Sequence, residues 1–395
     1  MKVSARLGTI APSATMAIDA RQKAMRRSGL PVISFGAGEP DFPTPEPIAQ
    51  AGVSAIDSGY TKYTAVNGIP ELREAIAARL VSDVGLHYAP EQITVTNGAK
   101  EAAYLALQAL VNPGDEVIIP GPYWVSYEAQ VLLAGGKPVV LPATEEDEFK
   151  LAPARLARAL TGKTRLLLLN SPCNPTGAVY SAHELRAIGR VLVNSEIGVL
   201  SDEIYQRISY NGPAAGFPAA VPDLFDRTVL INGASKAYSM TGWRIGFAAG
   251  PLEVIAAMND LKSHTSSNAT SIAQYAAVEA FRGPQHAVGE MCAAFRERRD
   301  LIVRLLNEIP GIRCAQPDGA FYAFPNVSGV LEQRLGGRPI ATSLDLASYL
   351  LDVAYVATVP GEAFGAPGYL RLSYACGLST IREGLARVKD ALKPA

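Results

Sequence analysis

Through the middle of the chain, short apolar runs alternate with stretches where apolar residues return at helical spacing. From about residue 90 the order is "EQITVT", the helix-like "KEAAYLALQALV", "DEVIIP", the helix-like "WVSYEAQVLLAGG" and "KPVVLP". It continues to about residue 290 through "TRLLLLN", a helix around "SAHELRAIGRVLV", and the runs "IGVLSDEIY", "RTVLING" and "RIGFAAG". Runs that are apolar throughout, rather than at every second position, predict strands buried on both faces of a mainly parallel sheet flanked by helices. Before residue 45 and after about 290 the pattern changes: a charged helix ("FRERRDLIVRLLNEI") precedes strands such as "GAFYAFP" and "YLRLSYA". The expected organisation is a large α/β domain over residues 46–290 and a smaller α+β domain assembled from both chain ends, 1–45 and 291–395. No repeat, low-complexity tract or Gly/Ser linker separates the parts.

Composition narrows the function by exclusion. With 395 residues, 48% of them hydrophobic, the chain can bury a substantial core. A formal net charge of −1 argues against a general polyanion binder, and no Lys/Arg cluster marks a nucleic-acid or membrane patch. The apolar runs are too short to span a bilayer and the N-terminus lacks the apolar core of a signal peptide, so a soluble cytoplasmic protein is expected. The four cysteines form no CxxC pair and the four histidines no HExxH, which removes the usual local metal motifs.

Candidate chemistry sits where strands are expected to end. In "NGASKAYSMTGWRIGF" the small residues Gly233, Ala234 and Ser235 lead from the end of the run "TVLING" to Lys236, and Arg244 lies eight positions on. The carboxyl ends of strands in open α/β sheets are where ligands bind. A lysine in partly apolar surroundings there has a lowered pKa, which suits it to covalent chemistry on a carbonyl, while Arg244 could hold an anion such as phosphate. In "ITVTNGAKEAAYLALQAL" a strand runs through Asn97, Gly98, Ala99 and Lys100 into a helix whose N–H groups could hold a phosphate. The same stretch also reads as a tight turn that needs a glycine. Asp202 of "LSDEIYQR" is either a helix-capping acid or a partner for a cationic ring nitrogen, with Tyr205 placed to bond a ring hydroxyl. Asn174 in "NSPCNPTG" is either part of a Pro/Gly turn or a donor to a ring oxygen or carboxylate. No GxGxxG follows a strand and no GxxxxGK[ST] occurs, so nicotinamide and P-loop readings lose ground. Together the groups are those that pyridoxal phosphate requires.

Beyond these residues, the chain resembles the class I, fold-type I aminotransferases, in particular the bacterial aspartate aminotransferase branch. The resemblance is collinear over "PSATMAI", "GAGEPDFPTP", "KYTAVNGIPELREAIA", "VTNGAKEA", "PGDEVIIPGPYWVSY", "NSPCNPTGAVY", "SDEIY", "NGASKAYSMTGWRIGF" and "RLSYA". It implies a seven-stranded, mainly parallel sheet and pyridoxal 5′-phosphate as cofactor. Lys236 matches the lysine that bonds the cofactor and shuttles the proton, Asp202 the partner of the pyridine nitrogen, and Tyr205 the donor to the ring oxygen. Asn174 lies where the family contacts that oxygen and the substrate α-carboxylate, and Trp124 where an aromatic ring stacks on the cofactor. Gly98, Ala99, Ser235 and Arg244 match the phosphate site, joined by Tyr63 from a neighbouring subunit, which implies a homodimer with shared sites. Arg371 matches the arginine that grips the α-carboxylate, which the Gly38 backbone also approaches.

For the substrate side chain, the branch reads a distal carboxylate with a lysine of the phosphate-loop motif, here Lys100, helped by residues matching Ser13 and Thr15. The resemblance thus implies amino-group transfer from aspartate to 2-oxoglutarate. Relatives that also use prephenate carry a basic residue just before "PSAT", whereas this chain has Ala11 and Pro12, which speaks against prephenate. The alternatives are an aromatic or prephenate aminotransferase of the same fold and a pyridoxal-dependent carbon–sulfur lyase. The surroundings of Trp124 and Lys100 fit the aminotransferase better. A pyridoxal-sensing regulator would need a DNA-binding extension. Small-molecule amino and oxo acids, rather than nucleic acid or membrane, are the expected partners.

Overall fold

The computed structural model describes residues 1–4, 7–8, 10 and 14–393, with the side chains of 14–17 left out. After a helix at Ala14–Arg27 come β1 (Ile33–Ser34) and two helices, Glu46–Asp57 and Pro70–Val84. Then follow β2 (Ile93–Thr96), β3 (Glu116–Gly121), β4 (Lys137–Pro142), β5 (Thr164–Asn170), β6 (Gly198–Asp202), β7 (Thr228–Gly233) and β8 (Gly246–Ala249). These last seven form one sheet in the order β2-β8-β7-β6-β5-β3-β4. Five strands pair in parallel from β4 through β7, and β8 lies antiparallel between β7 and β2.

The continuous apolar runs form strands here because helices cover both faces. Val117 and Leu168 pack into a core with the helix Ala99–Leu110, while Ile118 and Leu167 pack on the opposite side with the helix Ala182–Leu192. That last helix starts on a reciprocal cap, in which Ser181 accepts from the Glu184 N–H and the Glu184 carboxylate accepts from the Ser181 N–H. Asn170, Asp202 and Ile231 lie level across β5, β6 and β7. The candidate residues that follow these strands therefore emerge at one edge of the sheet. The reversed β8 enters at that same edge, which brings Arg244 to it.

Beyond the helix His286–Asn307 the chain makes β9 (Tyr322–Ala323), the hairpin of β10 (Gln333–Leu335) and β11 (Arg338–Ile340), then β12 (Val356–Ala357), β13 (Val359–Pro360) and β14 (Leu370–Ser373), and ends in the helix Leu378–Ala391. The N-terminal segment is woven into this part. β1 pairs in parallel with β12, and Phe35 exchanges backbone hydrogen bonds with Ala357 and Ser373. Gly384 lets the last helix close on the Phe35 ring, since a Cβ there would lie 2.5 Å from the ring. The run "GAFYAFP" forms only the two-residue β9, because the strands of this part pair over short stretches. Among the described residues no helix is long and apolar enough to cross a membrane, and all four cysteines are free thiols.

One backbone contact ties the sheet to the candidate phosphate site. A Cβ at Gly246 would lie 2.3 Å from the Ala99 nitrogen and 2.4 Å from the Gly98 carbonyl carbon. Neither atom can rotate away. Gly246→Ala should therefore cost about 1–3 kcal/mol through forced backbone displacement, seen as a lower midpoint of urea unfolding. An unchanged midpoint would mean that the helix start can shift freely.

Candidate active site

β6 delivers Asp202 to a nearly water-free position. Its Oδ2 accepts a hydrogen bond from the Tyr127 hydroxyl at 2.6 Å and its Oδ1 accepts from the Ile204 N–H at 3.1 Å. Burial raises its pKa, against the pull of those two donors and of the Lys236 charge. A buried carboxylate with two neutral donors and, among the described residues, no ion pair is poised to receive a cationic donor. Tyr205, three residues on, holds its hydroxyl 2.8 Å from that of Tyr322.

β7 ends at Gly233, and the turn through Ala234 and Ser235 places Lys236 beside these groups. Its Nζ donates to the Gly38 carbonyl oxygen at 2.6 Å. Although the side chain keeps some contact with the open cavity, burial of the ammonium lowers its pKa to about 8. The charges of Arg371 and Arg244 add to this, while Glu39 and Asp202 oppose it. Glu39 is itself held by the Thr241 hydroxyl at 2.7 Å. The result is an amine that loses its proton near neutral pH.

The opposite wall is the start of the helix Ala99–Leu110, where Gly98 turns with φ 84° and no side chain caps the end. The first backbone N–H groups of a helix have no intrahelical acceptor; here the Glu101 N–H turns back to the Gly98 carbonyl at 3.1 Å, and those of Ala99 and Lys100 are available to an anion. Arg244 lies against this turn in a left-handed conformation (φ 60°), donating to the Asn97 and Thr241 carbonyls at 3.0 Å each. Gly98 is required for that approach, because a Cβ there would come within 2.4 Å of Arg244 Nη2. Ser235 lines the same corner.

Arg371 rises from β14 and is buried. Its Nη1 donates to Asn174 Oδ1 at 3.0 Å, its Nη2 to the Gly36 carbonyl at 2.9 Å, and its Nε finds no partner. The guanidinium lies 4.6 Å from the Tyr322 ring centre and 5.0 Å from that of Phe364. Burial lowers its pKa, and among the described residues no carboxylate forms an ion pair with it. Lys100 lies with its ammonium 4.8 Å from the Trp124 ring centre. Burial of part of the side chain and the nearby Arg244 charge lower its pKa, although one side stays open to water.

One cavity of ≈ 360 Å³ collects most of the residues singled out from the sequence: Lys236, Asp202 and Tyr205 at its base, Asn174 and Arg371 on one side, and Ala99, Lys100, Trp124, Ser235 and Arg244 on the other, with Gly38 at its rim. Gly98 supports it from behind Arg244. Tyr63 does not line it; its side chain is 91% exposed at the surface of the single chain. Ser13 lies outside the described residues, and of Thr15 only the backbone, in the first helix, is described.

Tyr127, Tyr322, Asn170 and the Gly36 carbonyl also belong to the site and were not anticipated. Tyr127 stands three residues after Trp124 in the quoted "PYWVSY", but its bond to Asp202 joins residues 75 positions apart. Tyr322 reaches Tyr205 across 117. No local pattern signals either pairing. Chemically, the arrangement can bind one anion at the helix start, a second at Arg371 and a cationic ring nitrogen at Asp202, with an amine of near-neutral pKa between them.

Residues 31–388 match the family described as aminotransferase class I and II. The aspartate aminotransferase of Streptomyces avermitilis is 47% identical over 396 residues, covering 100% of this chain and 97% of that protein. The aspartate/prephenate aminotransferase of Cereibacter sphaeroides is 47% identical over 390 residues, 98% of each chain. Among solved structures, the aspartate aminotransferase of Rhizobium meliloti superposes with a TM-score of 0.96 at 44% identity over 99% of both chains. That of Thermus thermophilus, solved with maleate, gives 0.93 at 40% identity over 99% of this chain and 100% of that one.

The depressed pKa of Lys236 has a stability consequence in the protein freed of small molecules. The folded value of about 8 lies below the ordinary 10.5, so between them the unfolded chain binds more protons and the Lys236 contribution rises with pH. Lys236→Met removes that contribution. Whatever the constant cost of losing the bond to Gly38, the difference in urea midpoint between variant and parent should shift in the parent's favour from pH 7 to pH 10. A difference that stays flat or moves the other way would show that the ammonium is not desolvated.

Proposed function

The chain belongs to the class I and II aminotransferases, and from that premise we propose that it is an aspartate aminotransferase. It would use pyridoxal 5′-phosphate to move the amino group of L-aspartate to 2-oxoglutarate, giving oxaloacetate and L-glutamate. The observation that carries this reading is that four cations line one cavity without a carboxylate ion pair among the described residues; with the Lys236 amine at its base and Arg244 at the helix start, Arg371 with an idle Nε and Lys100 over Trp124 are left for a substrate. Two such cations suit a substrate with a carboxylate at each end. Maleate, present in the Thermus thermophilus structure, is itself a four-carbon dicarboxylate, which supports the reading.

The donor set also fits the cofactor. The buried carboxylate of Asp202 has no ion pair among the described residues, no side chain caps the helix start at Ala99, and the pKa of the Lys236 amine is lowered toward neutrality. When bound, pyridoxal phosphate supplies an aldehyde for the substrate amine and a conjugated ring that spreads the electrons released at Cα. Asp202 would hold the proton on the ring nitrogen, and its own pKa would fall once that cation faced it. Tyr205 and Asn174 would donate to the ring oxygen, and Trp124 would cover one ring face. The turn at Gly98, the Ala99 N–H, Ser235 and Arg244 would hold the phosphate. Arg371 would take the α-carboxylate beside Gly38 and so orient the Cα–H bond, and Lys100 would take the distal carboxylate with Ser13 and Thr15. Lys236, besides holding the cofactor covalently, would take and return the proton at Cα, a task for which an amine near pKa 8 is matched.

The exposure of Tyr63 supports a homodimer in which this tyrosine completes the phosphate site of the neighbouring subunit. The working compartment would be the cytoplasm. A second reading, prephenate as a further amino acceptor, is favoured by the name of the Cereibacter sphaeroides relative and opposed by Ala11 and Pro12. The same protein would serve both.

Adding L-aspartate alone to the cofactor-loaded protein tests the reading. A change in the visible absorbance with stoichiometric release of oxaloacetate is expected, whereas no oxaloacetate from aspartate, with a thiol, pyruvate and ammonia released from a cysteine thioether instead, would overturn it in favour of a carbon–sulfur lyase. Lys100 can be tested separately. The Lys100 ammonium gains a partner only from a distal carboxylate, so neutral substrates should gain nothing from it. Lys100→Ala should lower kcat/KM for aspartate roughly tens-fold and leave that for alanine or phenylalanine nearly unchanged at saturating cofactor. Equal losses for both substrate types would place Lys100 at the phosphate instead.

A further inference from the structure

Lys262 is a fully buried lysine outside the cavity, near the end of the helix Leu252–Ser263. Among the described residues it has no ion-pair partner. Its Nζ donates instead to two backbone carbonyls, Val66 at 2.5 Å and Val95 at shorter range. Burial lowers its pKa to about 8, with Glu101 opposing. An ammonium buried without a carboxylate is expensive, so its position calls for a reason.

The two carbonyls supply one. Val95 belongs to β2, an edge strand of the sheet. Among the described residues no strand covers that edge. It is covered by the segment from Thr64 to Ile69, whose Asn67 carbonyl accepts from the Val95 N–H at 3.0 Å. The next contact along this edge brings two acceptors, the carbonyls of Val66 and Val95, toward one point, and acceptors cannot bond each other. Lys262 Nζ bridges them. Gln274, also fully buried, fastens the same segment further along. Its Oε1 accepts from the Ile69 N–H at 2.8 Å, and its Nε2 donates to Thr64 Oγ1 at 3.0 Å. Gly68, at φ 95°, lies so close to β2 that a Cβ would meet Val95 Cγ2 at 2.5 Å. The clamped segment begins one residue after Tyr63, which stands exposed at its outer end.

We propose that Lys262 is a positioning residue for the cofactor phosphate of the neighbouring subunit: by bridging Val66 to Val95 it fixes the segment that presents Tyr63. This inference rests on the reading of Tyr63 as a donor to that phosphate. A flexible segment would pay the entropy of ordering each time Tyr63 docked. The clamp removes that cost in advance.

The test is retention of the cofactor by the holoenzyme on dilution, compared between pyridoxal phosphate and pyridoxal, which lacks the phosphate. Lys262→Met should release pyridoxal phosphate about ten-fold more readily, the scale of one lost charge-assisted hydrogen bond, and leave pyridoxal retention as in the parent. Lys262→Gln keeps an amide donor, folds without a buried charge, and should show about a three-fold loss, again only with the phosphate form. Lys262→Met combined with Tyr63→Phe should retain pyridoxal phosphate no worse than the weaker single variant. Equal losses for the two cofactors would reduce Lys262 to a structural role. Losses that multiply would instead point to damage at the chain's own Gly98 turn, at the end of β2. Either result overturns the inference. Loss in Tyr63→Phe with parent-like retention in both Lys262 variants would overturn it alone, whereas no loss in Tyr63→Phe would remove the Tyr63 reading on which it stands.

Discussion

The cavity is organised around two buried groups of opposite charge, Arg371 and Asp202, neither of which has an ion pair among the described residues. Each is partly satisfied by neutral partners: Asn174 and the Gly36 carbonyl for the guanidinium, Tyr127 and the Ile204 N–H for the carboxylate. Neutral partners hold a charge in place without cancelling it, so both groups keep most of their field directed at whatever enters. Pairing them with each other would have been cheaper for folding and would have left no site. Lys236 feels both, pulled down by Arg371 and up by Asp202, with desolvation the larger effect.

Holding such groups without collapse requires rigid supports, and the sheet provides them. Asp202 ends a strand flanked by parallel neighbours on both sides, and Lys236 follows the end of the next. The helix wall is locked against the sheet where Gly246 meets the backbone of Gly98 and Ala99, and the Arg244 side chain closes on Gly98 from the other side. Arg371 comes, like Tyr322, from the C-terminal strands, and its bonds to Asn174 and Gly36 join three distant parts of the chain. A change in the position of β14 relative to the sheet would therefore move the carboxylate grip directly, while the phosphate cradle stayed fixed.

Much of this was legible in the sequence because the groups follow strands whose apolar runs announce them. Asp202, Lys236 and Asn174 each stand within four residues of the end of such a run, and a strand end needs only local pattern to locate. The mainly parallel sheet followed from runs apolar on both faces. Illegible were pairings set by tertiary packing: Tyr127 with Asp202, Tyr322 with Tyr205, and the Gly36 carbonyl with Arg371. Lys262 was equally hidden. In a helix of mixed pattern a lysine reads as a solvated side chain, and only the meeting of two carbonyls from remote segments gives it a reason to be buried. The short C-terminal strands were over-read in length, since "GAFYAFP" has strand-like composition but finds partners at only two residues.

The treatment of the sheet edge links these features. β2 is an exposed-edge strand by topology, and an uncovered edge invites pairing with another chain. Here an irregular segment covers it, and irregular backbone leaves carbonyls that a strand would have paired with N–H groups. A buried lysine and a buried glutamine supply the missing donors. A covering segment that is not a strand is also free to leave the plane of the sheet, which is how it carries Tyr63 out to the surface while Gly68 stays pressed against Val95. The requirement to blunt an edge and the requirement to reach a second subunit are thus met by one stretch of chain, and the polar groups that make it possible lie in helices outside the cavity.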